Sequence, residues 1–299
     1  MPDSVALDAP AKVNLRLRVL AREVTGYHSI ETLFCAVSLC DRVVVRRAAG
    51  GVRLRVEGGI DTGPDEDNLV VRAARAFEHA VGSAAGAEVL LRKHIPVGAG
   101  LGGGSSDAAS VLRALNRLHG HPLEPSRLLE LAGGLGSDVP FFLCGSTLAL
   151  GWGRGQRLLA LPPLPRRIVL LAWPPAGSST RAAYEALSID PGAAVRAEVL
   201  TAEELSTWEA VSGLAENDFE RAATEREPGT AAVLEMLRAR GASPALLSGS
   251  GAAVFGVFAR AAHSVSAALD IEATGWTTMR AATLSVPPCP QVDPARGGG

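Results

Sequence analysis

Apolar and polar positions along this chain change period in a readable order. Val5 to Leu20, Arg42 to Arg47 and Val52 to Val56 are rich in β-branched and aliphatic residues, the composition of partly buried strands. Between Asn68 and Gly82 the period lengthens: Leu69, Ala73, Ala76, Phe77 and Ala80 share one face of a helix. Ala87 to Ile95 returns to strand character and runs into a glycine-rich loop. From Ser105 to Leu118 the residues Ala108, Val111, Leu112, Leu115 and Leu118 again fall on one helical face. Ser105, Ser106 and Asp107 stand at its start, where polar caps and negative charge suit the unpaired N–H groups. Pro125 to Gly134 reads as a further short helix.

Leu161-Pro-Pro-Leu-Pro165 then interrupts, because proline continues neither a helix nor a central strand. Beyond it come a buried-type strand at Ile168 to Trp173 and a helix at Thr180 to Leu187. Helices follow at Glu203 to Leu214, Asp218 to Arg226 and Thr230 to Arg240. A strand pair is expected around Ser248-Gly-Ser-Gly251, then a helix at Ala261 to Ala273 and a last strand at Trp276 to Leu284. The pattern predicts an α+β protein of two domains, 1–162 and 163–286, with a disordered Pro/Gly-rich tail at 287–299.

Composition narrows the function classes. A formal charge of −2 with no run of either sign gives no nucleic-acid footprint and no polybasic membrane patch. No apolar stretch reaches spanning length. Met1 to Pro10 lacks a secretory pattern, and Cys35, Cys40, Cys144 and Cys289 have neither metal-ligand nor disulfide-framework spacing. A cytoplasmic enzyme is the expectation. The chain has 29 Lys plus Arg, yet only two are lysines, Lys12 and Lys93. Arginine does not replace a compact, tunable ammonium where one is required. Both lysines fall in the segments that carry the chemistry.

The strongest local signal is Lys93-His-Ile-Pro-Val-Gly-Ala-Gly-Leu-Gly-Gly-Gly-Ser-Ser-Asp107. A strand, a glycine-rich turn and a capped helix in that order aim backbone N–H groups at one point, where the helix dipole favours an anion. Ser105 and Ser106 can donate to phosphate oxygens or hold a bridging Mg²⁺. The spacing is neither the P-loop nor the dinucleotide fingerprint. A phosphate cradle is the reading.

The segment Pro96-Val97-Gly98-Ala99-Gly100-Leu101-Gly102-Gly103-Gly104-Ser105-Ser106 resembles the nucleotide loop of the GHMP kinases. Three further blocks match in order: Ala9-Pro-Ala-Lys-Val-Asn-Leu15, Gly136-Ser-Asp-Val-Pro-Phe-Phe142 and Leu247-Ser-Gly-Ser-Gly-Ala-Ala-Val254. Gly26-Tyr-His-Ser-Ile-Glu-Thr-Leu-Phe34 and Ser179-Thr-Arg-Ala-Ala-Tyr184 are similar to the branch acting on a cytidine-diphosphate-linked methylerythritol. The resemblance implies a two-domain GHMP kinase-like fold. Its N-terminal nucleotide domain would be ribosomal-protein-S5-like, and its C-terminal domain a ferredoxin-like α/β sandwich. It also implies ATP as co-substrate with Mg²⁺, a small-molecule acceptor, and a monomer or homodimer.

The roles it implies stand beside plainer ones. Asp138 becomes the base that accepts the acceptor's proton; the residues alone read it as the N-cap of a short Val139-Pro-Phe-Phe helix, and both can hold. Lys12 would keep that carboxylate ionised and stabilise charge on the reacting oxygen; otherwise it is a strand-end lysine in solvent. Lys93 would sit on the ATP side, near adenine or phosphates. Asn14, Tyr27 and His28 would bind the cytidine substrate, with Tyr184 stacking from the second domain; Tyr27 and Tyr184 also read as strand-end and core aromatics. The Ser248–Gly251 turn would line the pocket or simply close a hairpin. Asn217-Asp218 resembles a helix start of the same branch and is assigned no chemistry. Another GHMP acceptor, homoserine or mevalonate, and a non-catalytic sensor on this fold are the competing readings.

Overall fold

The computed structural model describes residues 2–22, 28–59, 61–82, 86–175, 183 and 200–292. Two sheets organise it. The first is built on a long antiparallel pair, β1 (Ser4–Arg22) and β2 (His28–Arg47), whose register shifts at Pro10/Ala11, Asn14/Arg16 and Val19/Ala21. Each bulge re-aims the side chains beyond it. One half of β2 pairs with β4 (Ala87–Arg92) and the other half with β5 (Leu148–Gly153), which pairs in turn with β6 (Arg157–Leu161). β3 (Val52–Glu57) lies parallel to β4, and α1 (Leu69–Val81) supplies the crossover that a parallel pair requires. The second sheet joins β7 (Ile168–Trp173), β8 (Ala245–Leu247), β9 (Val254–Phe258) and β10 (Thr277–Ala282) in the order β10-β7-β9-β8, all antiparallel.

Helix α1 forms where expected because its ends are satisfied. Asn68 accepts from the Val70 N–H at 2.9 Å, and Gly82 closes the far end with φ 65°. Helix α2 (Gly103–Leu118) differs from the expectation. It begins two residues before Ser105, with Gly102 as its N-cap at φ 71° and no side-chain cap. A glycine takes that left-handed conformation at no steric cost, so the serines lie inside the helix rather than before it. Helices α3 (Pro125–Leu135), α4 (Trp208–Gly213), α5 (Glu220–Arg226), α6 (Pro228–Ala239) and α7 (Ala261–Glu272) follow among the described residues. Helix α4 is shorter than the expected Glu203–Leu214. The expected helix at Thr180–Leu187, apart from Ala183, lies outside the described residues.

Part of the expected tail is ordered. Gln291 and Val292 form β11 and pair with Ala6 and Val5, because the outer edge of β1 offers free N–H and C=O groups there. β5 and β6, which the sequence pattern does not show, continue the sheet from β2. β1 serves three apolar clusters in succession. Val5, Leu7 and Ala9 pack under α1 and α2, Ala11, Val13 and Leu15 join the central core, and Leu17 enters the core of the second sheet with Phe219, Leu247 and Phe258. No helix among the described residues is long and apolar enough to cross a membrane.

Candidate active site

The glycine loop folds against the second sheet's turn, and two glycines show why. Gly100 has φ 78°, and a Cβ there would lie 2.1 Å from the Ser248 carbonyl oxygen. At Gly102 a Cβ would meet Lys12 Cγ at 3.0 Å and Phe142 Cζ at 3.2 Å. At Gly100 that distance admits no Cβ, and at Gly102 the left-handed φ of 71° strains any other residue. Beyond the turn, the first intrahelical bond is Ser106 N–H to Gly102 O, at 2.9 Å. The N–H groups of Gly103, Gly104 and Ser105 therefore precede the ladder and have no side-chain cap, the arrangement that receives phosphate oxygens.

Lys12 sits at the meeting point. Its side chain is buried, and its Nζ donates to Asn14 Oδ1 at 2.7 Å and to Gly100 O at 2.9 Å. The same ammonium stands 3.4 Å from Asp138 Oδ2 and 5.6 Å from the Phe34 ring centroid. Phe34 also stacks on Phe141 at 5.0 Å between centroids, a contact worth about 1 kcal/mol beyond its buried area. One ring on β2 thus fixes both the lysine and the short 3₁₀ helix Val139–Leu143 that follows Asp138. Asp138 occupies the N-cap position of that helix, yet its carboxylate makes no capping hydrogen bond. The side chain is 29% exposed and turned to Lys12.

Asn14 is held on two sides. Besides accepting from Lys12 it donates to Thr32 Oγ1 at 2.7 Å, and Thr32 donates to Arg16 O at 2.8 Å. Its amide orients the lysine, a use the sequence reading did not assign. Gly100 O accepts from Ser248 Oγ at 3.0 Å as well as from Lys12, and Ala253 N–H donates to Ala99 O at 3.0 Å. Asn217 holds that turn from the other side. Its amide donates to Leu247 O and Gly249 O, both at 2.8 Å, while its Oδ1 accepts from Phe219 N–H at 2.9 Å.

Lys93 lies beneath the loop rather than on an open ATP side. It is buried between Asp41 and Asp107, with Nζ donating to Asp107 Oδ2 at 2.8 Å and to Asp41 Oδ2 in a shorter bond. The other oxygen of Asp41 accepts from the N–H groups of His94 (2.5 Å) and Ile95 (2.8 Å). Burial alone would lower the Lys93 ammonium, but the two carboxylates outweigh it and hold it above the ordinary lysine value. Asp107 is pushed up to about 7, chiefly by burial and further by Asp41, against the pull of Lys93. Asp41 is the group the sequence reading missed. Its signal was an acid within Ser38-Leu-Cys-Asp-Arg-Val-Val, an apolar strand context where a charge requires a partner.

The remaining loop residues divide. Val97 and Gly98 are exposed, Pro96 and Ser105 half-buried, Gly104 open, and Ala99 and Leu101 bury their side chains in the central core. Ser106 is fully buried, and its hydroxyl has no hydrogen-bond partner among the described residues. His28 opens β2 opposite Arg22, at the far end of the hairpin from Lys12. Tyr27 and Tyr184 lie outside the described residues. The structure thus brings together Lys12, Asn14, Asp138, the loop from Gly100 to Ser105 and the Ser248 turn.

A model of the GHMP kinases N terminal domain matches residues 68–146, and one of the GHMP kinases C terminal region matches residues 200–274. The chain belongs to the GHMP kinase family, whose co-substrate is ATP. It is 43% identical over 254 residues to the 4-diphosphocytidyl-2-C-methyl-D-erythritol kinase of Pelotomaculum thermopropionicum, covering 84% of this chain and 88% of that one. To the enzyme of that name from Deinococcus radiodurans it is 41% identical over 273 residues, 90% of this chain and 89% of the other. A crystal structure of 4-(cytidine 5'-diphospho)-2C-methyl-D-erythritol kinase superposes with a TM-score of 0.75 at 37% identity, covering 93% and 98% of the two chains. Within the GHMP kinases, the branch to which this chain belongs is that of these relatives. A homoserine kinase from Cytophaga hutchinsonii also reaches a TM-score of 0.75 over 98% of each chain, but at 19% identity, and shows the shared fold alone.

Proposed function

We propose that this protein transfers the γ-phosphoryl group of ATP to the 2-hydroxyl of 4-diphosphocytidyl-2-C-methyl-D-erythritol, a step of the non-mevalonate route to isoprenoid precursors. The observation that carries the reading is the position of Lys12. Its ammonium joins the Gly100 carbonyl of the phosphate loop to the Asp138 carboxylate. An acceptor hydroxyl beside Asp138 would therefore lie next to a nucleotide whose phosphates rest on the N–H groups of Gly103 to Ser105.

In this reading Asp138 accepts the hydroxyl proton as the phosphoryl group moves, and Lys12 stabilises the charge that develops at the oxygen. The uncapped carboxylate of Asp138 supports that role over a capping one. Mg²⁺ needs only one or two protein oxygens besides the phosphates, and the half-buried Ser105 hydroxyl at the start of α2 fits that modest donor set. It would neutralise the phosphates when bound. Asn14 holds the lysine, and Lys93, through Asp41 and Asp107, sets the floor of the loop. Tyr27, His28 and Tyr184 are assigned to the cytidine end on the resemblance of their motifs. The enzyme would work in the cytoplasm as a monomer or homodimer.

ADP release from ATP and Mg²⁺ tests the reading, with the cytidyl substrate, homoserine and mevalonate offered in turn. Turnover confined to the cytidyl substrate is the expected result. Turnover with either other alcohol alone would keep a kinase and discard this acceptor.

A further inference from the structure

A chain of hydrogen bonds runs from Lys12 away from the phosphate loop and into the β1–β2 pair. Lys12 Nζ donates to Asn14 Oδ1 at 2.7 Å, Asn14 Nδ2 donates to Thr32 Oγ1 at 2.7 Å, and Thr32 Oγ1 donates to the Arg16 carbonyl at 2.8 Å. Lys12, Asn14 and Thr32 are 3%, 2% and 0% exposed, so bulk water does not replace a partner that is lost.

The two ends of the chain set its direction. An ammonium has donors and no lone pair, and a carbonyl oxygen has lone pairs and no proton. With its hydroxyl proton given to Arg16 O, Thr32 can only accept from Asn14, and it thereby selects the NH₂ side of that amide. The carbonyl side is turned to Lys12, which can only donate. A hydroxyl at position 32 serves both neighbours through one atom. An apolar side chain of the same shape serves neither.

The backbone puts that hydroxyl in place. Between Asn14 and Arg16, β1 advances two residues while β2 advances one, from Phe34 to Leu33, a bulge that re-aims the strand. On its other side Thr32 stands opposite Gly151 of β5, where a Cβ would lie 3.2 Å from Thr32 Cγ2 and 2.9 Å from Phe34 Cε2. The bare strand at Gly151 seats the threonine methyl, and the hydroxyl faces β1. The neighbour that shares this seat, Phe34, is the ring 5.6 Å from Lys12 Nζ.

We infer that Thr32 is a positioning residue for phosphoryl transfer: its hydroxyl fixes the Asn14 amide, which holds the Lys12 ammonium between the Gly100 carbonyl and Asp138. With no exposed surface, Thr32 acts through Asn14 and not on a substrate. The inference rests on the reading of Lys12 and Asp138 as the reacting pair. Displacing a positioned group by about 1 Å lowers turnover by about 10²-fold. Nucleotide held on the N–H groups of Gly103 to Ser105 does not depend on this chain, so the effect falls on kcat and spares the KM for ATP.

Two substitutions separate the hydroxyl from the packing. Thr32→Val keeps the shape and removes the hydroxyl; Thr32→Ser keeps the hydroxyl and removes the methyl. With ATP, Mg²⁺ and the cytidyl substrate, Thr32→Val should lower kcat by about 10- to 100-fold with the KM for ATP changed less than about twofold. Thr32→Ser should stay within about threefold of the wild type. In an Asn14→Ala background, Thr32→Val should change kcat less than about twofold, because the group it acts through is gone. Equal losses in the two Thr32 variants, or a loss that persists in full without Asn14, would overturn the inference. If Thr32→Val does not fold, Thr32→Ala is compared with Thr32→Ser, from which it differs by the hydroxyl alone.

A second readout needs no turnover. Lys12 and Lys93 are the only lysines, so protein made with isotopically labelled lysine gives two side-chain resonances, assigned through Lys12→Met. In Thr32→Val the Lys12 resonance should move and the Lys93 resonance should stay. An unmoved Lys12 resonance would sink the inference whatever alcohol the enzyme phosphorylates. A moved one in a protein inactive on the cytidyl substrate would uphold the link from Thr32 to Lys12 and discard the acceptor alone.

Discussion

Replacing Asp107 by asparagine isolates the electrostatics under the phosphate loop. Asp41 and Lys93 form one neutral pair, and Asp107 adds a second buried carboxylate with one oxygen, Oδ1, lacking a hydrogen-bond partner. Its folded-state value of about 7 lies well above the unfolded aspartate value of about 3.9. The folded protein therefore holds a proton on Asp107 that the unfolded chain has released, and stability falls as pH rises from the unfolded value to the folded one. Integrating one such group between about pH 5.5 and 8.5 gives a loss of about 2 kcal/mol. The asparagine still accepts from Lys93 through its amide oxygen and has nothing to titrate. Urea unfolding at both pH values should show the wild type losing about 2 kcal/mol relative to Asp107→Asn. Parallel pH dependence in the two proteins would refute the reasoning and place Asp107's proton equilibrium outside this window.

Three further outcomes follow from the same geometry. Lys12→Met and Asp138→Asn should each lower turnover by about 10²–10⁴ while leaving ATP affinity largely intact, read by ADP release and by nucleotide titration. Undiminished turnover would remove the residue from the chemistry. Asn217→Ala strands the carbonyls of Leu247 and Gly249, at a cost of about 2 kcal/mol or more, and should shift the denaturation midpoint and raise the KM for ATP together. Gly100→Ala places a methyl group 2.1 Å from Ser248 O in a left-handed backbone, so the loop and turn must part and activity should be lost even where the chain still folds.

What the sequence made legible was local. Asn68 and Gly82 mark the ends of α1 because caps are properties of adjacent residues. The loop's close approach to its neighbours could be read from its glycines, since a Cβ at Gly100 would meet the Ser248 backbone. Lys93 shows the limit: nothing near it in sequence reveals Asp41, 52 positions away, so its ammonium was placed on the ligand side instead of beneath the loop. Asn217 carried no chemistry in isolation, because the carbonyls it serves lie 30 and 32 residues further on. β5 and β6 went unread for a different reason. Gly151, Gly153 and Gly155 look like a turn, whereas Gly151 lies in a strand where Phe34 leaves no space for a side chain.

The reach of β1 bears on how this protein is made. Its first residues pair with Val292, and its middle contributes Leu17 to a core shared with Phe258. Leu17 thus waits for a partner made roughly 240 residues later, about 12 to 50 seconds at 5–20 residues per second. Val5, Leu7 and Ala9 can meet α1 and α2 early, but during that interval the part of β1 around Leu17 has no permanent covering. Shielding by a chaperone on the ribosome should therefore raise the yield of folded protein more than it does for proteins with local contacts.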